Sequence, residues 1–232
     1  MPLQLRLQPG QLSDLAVIRD TTPELLFDIA NRFEAATPPP MRPKELHREI
    51  ANVLGDKPEQ VGKILRPLLS LQAIIRQRNL TADEVVEAVG YAFENAETPW
   101  EAEQIKKWKS VEPAFKKLLM SPVLHLVSTA LDLMYEYANL LQNLRIVTDI
   151  RPVFSTDASR IEGSVVSHTL RLRYDSTEGD HSLSIAMDEG DIRELERQCK
   201  RAITKAQTAK SLMVEQAKIP TVISGDGSNA EA

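Results

Sequence analysis

Between Leu144 and Met213 the hydrophobic pattern changes period, and this change limits the possible folds more than any other feature of the chain. Three runs alternate apolar and polar residues two by two. In the first, Leu144, Ile146, Ile150 and Phe154 fall on one side and Arg145, Asp149 and Arg151 on the other. In the second, Val166, Leu170, Leu172 and Tyr174 alternate with Ser167, Thr169, Arg171 and Arg173. In the third, Leu183, Ile185 and Met187 alternate with Ser182, Ser184 and Ala186. A period of two is that of strands with one face against a core, so strands are predicted near 144–154, 165–174 and 181–187. Residues 175–180 (Asp-Ser-Thr-Glu-Gly-Asp) carry turn chemistry. A hairpin closed there sets Tyr174 opposite His181, Leu172 opposite Leu183 and Leu170 opposite Ile185, all on one face.

From Asp188 the period becomes helical. Asp188 is a good N-cap, and Glu189, Asp191 and Glu194 place negative charge where the helix dipole favours it. Ile192, Leu195, Cys199, Ala202, Ala206, Ala209 and Met213 then form a narrow stripe whose middle is all small residues, and the helix is predicted to reach Lys218. This helix is expected to cover the apolar face of the sheet. Three strands and one helix still make a thin unit that gains little beyond its ordering cost. The unit is therefore expected to complete its core with another copy or a partner. The predicted interface or core positions are Ile146, Ile150, Phe154, Leu170, Leu172, Leu183, Ile185, Ile192, Leu195 and Ala202.

Upstream the pattern is helical throughout, which makes the predicted fold class α+β: an all-helical N-terminal domain, then a small three-stranded antiparallel sheet with a long C-terminal helix. Thr22-Pro23-Glu24 starts one helix, and the proline-rich 37–43 breaks the chain. A helix over 44–54 stops at Gly55, with Asp56 placed to cap the next, an apolar helix that Pro67 should kink. Thr81-Ala82-Asp83-Glu84 is a capping box. Thr98-Pro99 repeats the Thr-Pro start for a helix to Leu119 that Pro113 should bend, and Ser121-Pro122 opens another with Leu124, Val127, Leu131, Met134, Ala138 and Leu141 inward. The predicted organisation is an N-terminal arm (1–20), a helical domain (21–120), a connecting helix running straight into the first strand (121–141), the α+β domain (142–218) and a disordered tail (219–232).

The order and size of strand, connection, hairpin and terminal helix resemble the COMM domain. The segments that carry the resemblance are 144–150 (Leu-Arg-Ile-Val-Thr-Asp-Ile), 170–174 (Leu-Arg-Leu-Arg-Tyr) and the run from Ile185 to Ala202. The family's first strand usually carries a Trp, which this one lacks. In COMM-domain proteins this domain follows a helical domain and is an obligate dimerisation module. The resemblance implies intertwined homo- or hetero-dimers, larger rings, and an adaptor role in a multi-protein complex. Some family members are linked to copper, which singles out His168 and Met187, neighbours in the predicted hairpin. The alternative for His168 is a partly exposed sheet histidine.

The remaining chemistry is sparse. The formal net charge of −5 argues against a general nucleic-acid binder. One cysteine, Cys199, excludes a disulfide framework and a thiolate metal cluster, and its place in the helical stripe predicts an inert, inward thiol. His168 and His181 fall at opposite ends of the hairpin and cannot share an ion within one chain. No nucleotide-binding, nucleophile-elbow or metalloprotease motif occurs, so neither catalysis nor a metal or cofactor is expected. The N-terminus lacks a basic, apolar leader and no run of eighteen apolar residues occurs, which predicts a cytoplasmic chain without a membrane span. The leading expectation is a non-enzymatic scaffold that pairs with itself or a paralogue through its C-terminal domain and recruits other proteins through its helical domain. The alternative is a dimeric DNA-binding regulator using a helix-turn-helix in 42–78, where eight Lys and Arg face four Asp and Glu and where Lys63, Arg66, Arg76 and Arg78 would meet phosphate.

Overall fold

A computed structural model of the chain describes residues 9–55, 58–94 and 100–225. Among these residues the fold is α+β. Helices α1 (Pro9–Asp20), α2 (Pro23–Ala35), α3 (Pro43–Leu54), α4 (Pro58–Arg78), α5 (Ala82–Glu94), α6 (Ala102–Leu119) and α7 (Pro122–Tyr135) come first. Strands β1 (Asn139–Phe154), β2 (Ile161–Ser176) and β3 (Gly179–Met187) follow, and then helix α8 (Glu189–Ser211) with a π-helical turn over Leu212–Gln216. The chain divides into two compact units, with the boundary at Leu133/Met134.

Local chemistry sets the helix starts of the first unit. Five of its helices begin on a proline, whose missing N–H is costless at that position and whose φ suits the first turn. Thr22 caps α2 by accepting from the Leu25 N–H. At α5 the predicted capping box is formed: the Glu84 N–H donates to the Thr81 hydroxyl at 3.2 Å, and the Thr81 N–H donates to the Glu84 carboxylate at 2.7 Å. That backbone bond holds the Glu84 carboxyl below its ordinary value. The proposed caps Asp56 and Thr98-Pro99 lie outside the described residues.

The core of this unit is sealed. α6 packs against α1, α2, α4 and α5. Phe33, Phe93 and Phe115 are fully buried, as are Leu26, Ile29, Ile50, Ile64 and Leu68. Phe93 stacks on Trp100 and meets Trp108 edge-on at 5.2 Å, and Trp108 meets Phe115 the same way. α4 and α6 each continue as one helix through Pro67 and Pro113, the positions where a kink and a bend are expected.

Two sequence expectations need correction here. The predicted arm, expected to hold one or two helical turns, contains α1, a three-turn helix whose Leu15 and Ile18 are buried against α4 and α6. Its stripe of Leu12, Leu15 and Ile18 is too narrow to announce a helix, and packing against the bundle supplies what the pattern lacks. α7 does not run into the first strand. It ends at Tyr135, and Leu141, which continues the helical spacing, is instead paired with Tyr174 of β2. Sheet pairing with a distant strand overrides the local period.

The second unit is an antiparallel meander in the order β1-β2-β3. β1 and β2 are longer than their alternating runs suggested, and residues 155–160 join them. There the Asp157 carboxylate accepts from the Ser155 and Ser159 hydroxyls at 2.6 and 2.9 Å, which holds it down to about 2. Thr177 and Glu178 close β2 onto β3, with Gly179 at a φ of 113° that a Cβ would strain. α8 starts one residue beyond β3 on an Asp188 cap, with Asp191 returning the bond to the Asp188 N–H. It gives way at Ser211 to the π-helical turn rather than continuing to Lys218. Residues 219–225 of the predicted tail carry no regular structure, and the rest lie outside the described residues.

Candidate association surface

The sheet register sorts the side chains of the second unit into two faces. β2 and β3 pair as His168 with Met187, Leu170 with Ile185, Leu172 with Leu183 and Tyr174 with His181. β1 adds Leu144 opposite Leu172, Ile146 opposite Leu170, Thr148 opposite His168 and Ile150 opposite Val166. Directly paired antiparallel residues point the same way, so these side chains share one face, apolar over most of its area. A register shift at Gln142 brings Leu141 opposite Tyr174, a contribution hidden in sequence because Leu141 reads as helical there. Phe154 lies beyond a second shift, opposite Ile161.

This face is open within the chain. Leu170, at 9% exposure, is the one large apolar residue of the sheet that is buried; Ile150 is 72% exposed. Leu144, Ile146, Val166, Leu183, Ile185 and Phe154 are exposed and Leu172 is half-buried. A contiguous apolar surface of this extent is uncommon on a soluble monomer.

The expectation that α8 covers this face is overturned. Among the described residues α8 has no buried side chain, and its main sheet contact is with β3, the strand it follows. A helix that starts one residue after a strand has no loop to carry it back across the sheet. Ile192 and Leu195 are half-buried near its start, whereas Ala202 and Ile203 are exposed. The Cys199 thiol, expected inward, is exposed as well. The ten predicted interface or core residues thus lie on two surfaces of one unit, sheet face and helix stripe, and the chain does not bring those surfaces together. On the polar side of α8, Arg193 pairs with Glu189, Arg197 with Glu194 and Lys200 with Glu196, the i,i+3 and i,i+4 ladder of a solvated helix face.

The other sheet face carries charge. Arg145 stands directly opposite Arg171, with Arg173 diagonal to it, and none of the three has an ion-pair partner within 4 Å among the described residues. Like charges paired across strands disfavour the sheet. Beyond Arg173, Asp175 faces Asp180, and a hydrogen bond between their carboxyls pushes Asp175 above its ordinary value.

In the helical unit two of the four residues proposed to meet phosphate, Arg66 and Arg76, are held in ion pairs. Arg66 pairs with Asp14 at 3.2 Å, and Arg76 pairs with Asp132 while donating to Thr129 at 3.1 Å. Val61, Ile64, Leu65, Leu68 and Leu71 of α4 face the core. A cleft of about 380 Å³ beside Pro38–Pro40 is lined by Arg32, Glu45, Arg48 and Glu49, of which Arg32 and Glu49 pair at 2.7 Å. Among the described residues no three His, Cys, Asp or Glu converge as a metal site would require. No single described helix is long and apolar enough to cross a membrane. No family model and no curated protein matches the chain.

Proposed function

We propose that the chain is a non-enzymatic scaffold whose C-terminal unit pairs with a second copy, each copy laying α8 over the partner's apolar sheet face. One observation carries this reading: a continuous apolar face, patterned for burial, stays open beside a helix whose own stripe is also open. Each copy holds both complementary surfaces, so a two-fold pair covers both sheets and both stripes with one kind of contact. At about 25 cal/mol per Å², sealing a half-exposed Leu or Ile contributes about 1 kcal/mol, repeated over every residue of the face. The resemblance to COMM domains implies intertwined homo- or hetero-dimers, which agrees with pairing through this unit. The helical unit, closed around its own core, is then free to present its outer surface to other proteins, and the setting is cytoplasmic.

Light scattering of the full chain at micromolar concentration tests the pairing. The expected mass is twice 26.0 kDa. A 26.0 kDa monomer at that concentration overturns the proposal.

A further inference from the structure

The apolar sheet face contains two imidazoles, His168 and His181. His168 sits in its middle, between Thr148 on β1 and Met187 on β3, with Val166 and Leu170 on either side along β2. The Thr148 hydroxyl and His168 Nδ1 lie 2.9 Å apart, a bond that a neutral ring makes as readily as a charged one. His181 lies nearer one end and stacks on Tyr174, with ring centroids 5.4 Å apart and planes 22° apart.

The charges around the two rings are few. β1 and β3 present no charged side chain to His168 from this face, only Ile146, Thr148, Ile150, Ile185 and Met187. At the start of α8, Asp188, Glu189 and Asp191 follow just past Met187, with Asp188 and Asp191 engaged in each other's cap and Glu189 paired with Arg193. The only titratable group facing His181 is the Tyr174 phenol; Arg173, Asp175 and Asp180 alternate onto the other face. Among the described residues no acid lies within ion-pair distance of either imidazole.

We propose that proton uptake by His168 and His181 opposes pairing of two copies through this face, which makes the association pH-gated. The inference rests on the self-pairing reading above. A charged imidazole sealed in an apolar interface without a counter-ion is strongly disfavoured, so the paired state selects the neutral rings. The sign follows from linkage: the separated chains bind more protons than the pair, so association strengthens as pH rises and weakens as it falls. An unperturbed imidazole titrates at about 6.5, and one pH unit below that value each ring that must lose its proton raises Kd by about tenfold. With two such rings per chain, four in the pair, association is expected to weaken by about 10⁴-fold between pH 7.5 and 5.5.

The test is a concentration series of the full chain by sedimentation velocity at pH 7.5, 6.5 and 5.5 and constant ionic strength. Pairing at pH 7.5 that is lost at pH 5.5 is expected, with far-UV circular dichroism unchanged. The double variant His168→Gln, His181→Gln should pair equally at all three values, while His47→Gln, His125→Gln in the helical unit should retain the wild-type dependence. Should the first variant unfold, imidazole NMR titration of the wild type at high and low protein concentration replaces it, with His168 and His181 expected to titrate lower in the pair. Pairing that does not vary with pH overturns the gate and leaves self-pairing intact. A pH dependence that survives the His168/His181 variant, or unchanged titration between the two concentrations, also overturns the gate. A monomer at every pH overturns both proposals.

Discussion

Phe33 and Ile150 are both large apolar residues at positions where the local pattern calls for burial. Phe33, on α2, has no exposed surface, and Ile150, on β1, keeps 72% of its own. The contrast extends to the units around them. In the helical unit each amphipathic helix finds a neighbour, and even charged Arg76 is tied to Asp132 and Thr129. In the sheet-and-helix unit the patterning is as regular, but the sheet face and the helix stripe each lack a cover. Regular amphipathic patterning therefore marks which surfaces are meant to be buried without saying whether the same chain buries them.

The comparison breaks first at its most buried point. Phe115→Ala, in the centre of the helical core, is expected to lower stability by about 3–5 kcal/mol in chemical denaturation. A loss below about 1 kcal/mol would mean that the helical unit is not the self-sufficient half. Ile150→Asp should leave that unit's unfolding unchanged and weaken self-pairing by about a hundredfold in sedimentation, because a lone carboxylate would be sealed in an apolar contact. Equal pairing by the variant would place the contact elsewhere.

Smaller effects sharpen the picture on the charged side of the sheet. Arg171→Glu replaces a like-charge cross-strand pair with an attractive one, so thermal stability should rise by the equivalent of about 0.2–1 kcal/mol. A drop would show that Arg171 serves a contact outside the single chain. The smallest expected effect is at the β1–β2 turn. The Asp157 carboxyl is held at about 2 against an ordinary 3.8, so its contribution is full above about pH 4 and fades as pH falls toward 2. Asp157→Asn should lower the melting temperature slightly at pH 7, match the wild type near pH 2, and so flatten that acid limb in a pH series of thermal melts.

Where chemistry is local, reading the chain works well. The β2–β3 register follows from alternation and turn residues alone, because a slip of one residue would turn every side chain of the face over. The Thr81–Glu84 cap is equally direct. The misses share a different origin. α1 carries too narrow a stripe to be recognised without α4 and α6 beside it, and Leu141 continues a helical spacing until β2 claims it. The candidate surface was half visible: its residues follow from alternation, whereas its openness does not.

The sequence by itself determined the period of each segment, the hairpin register, most helix starts and which faces are apolar, since these depend on residues within a few positions of one another. Only the tertiary structure decided that α8 leaves its own sheet uncovered, that Cys199 faces outward, and that Arg66 and Arg76 turn to acids of neighbouring helices. Those outcomes depend on where a connection is too short to fold back and on which distant side chains arrive first at a surface. Periodicity encodes the demand for burial, and the geometry of the whole chain determines what remains to meet it.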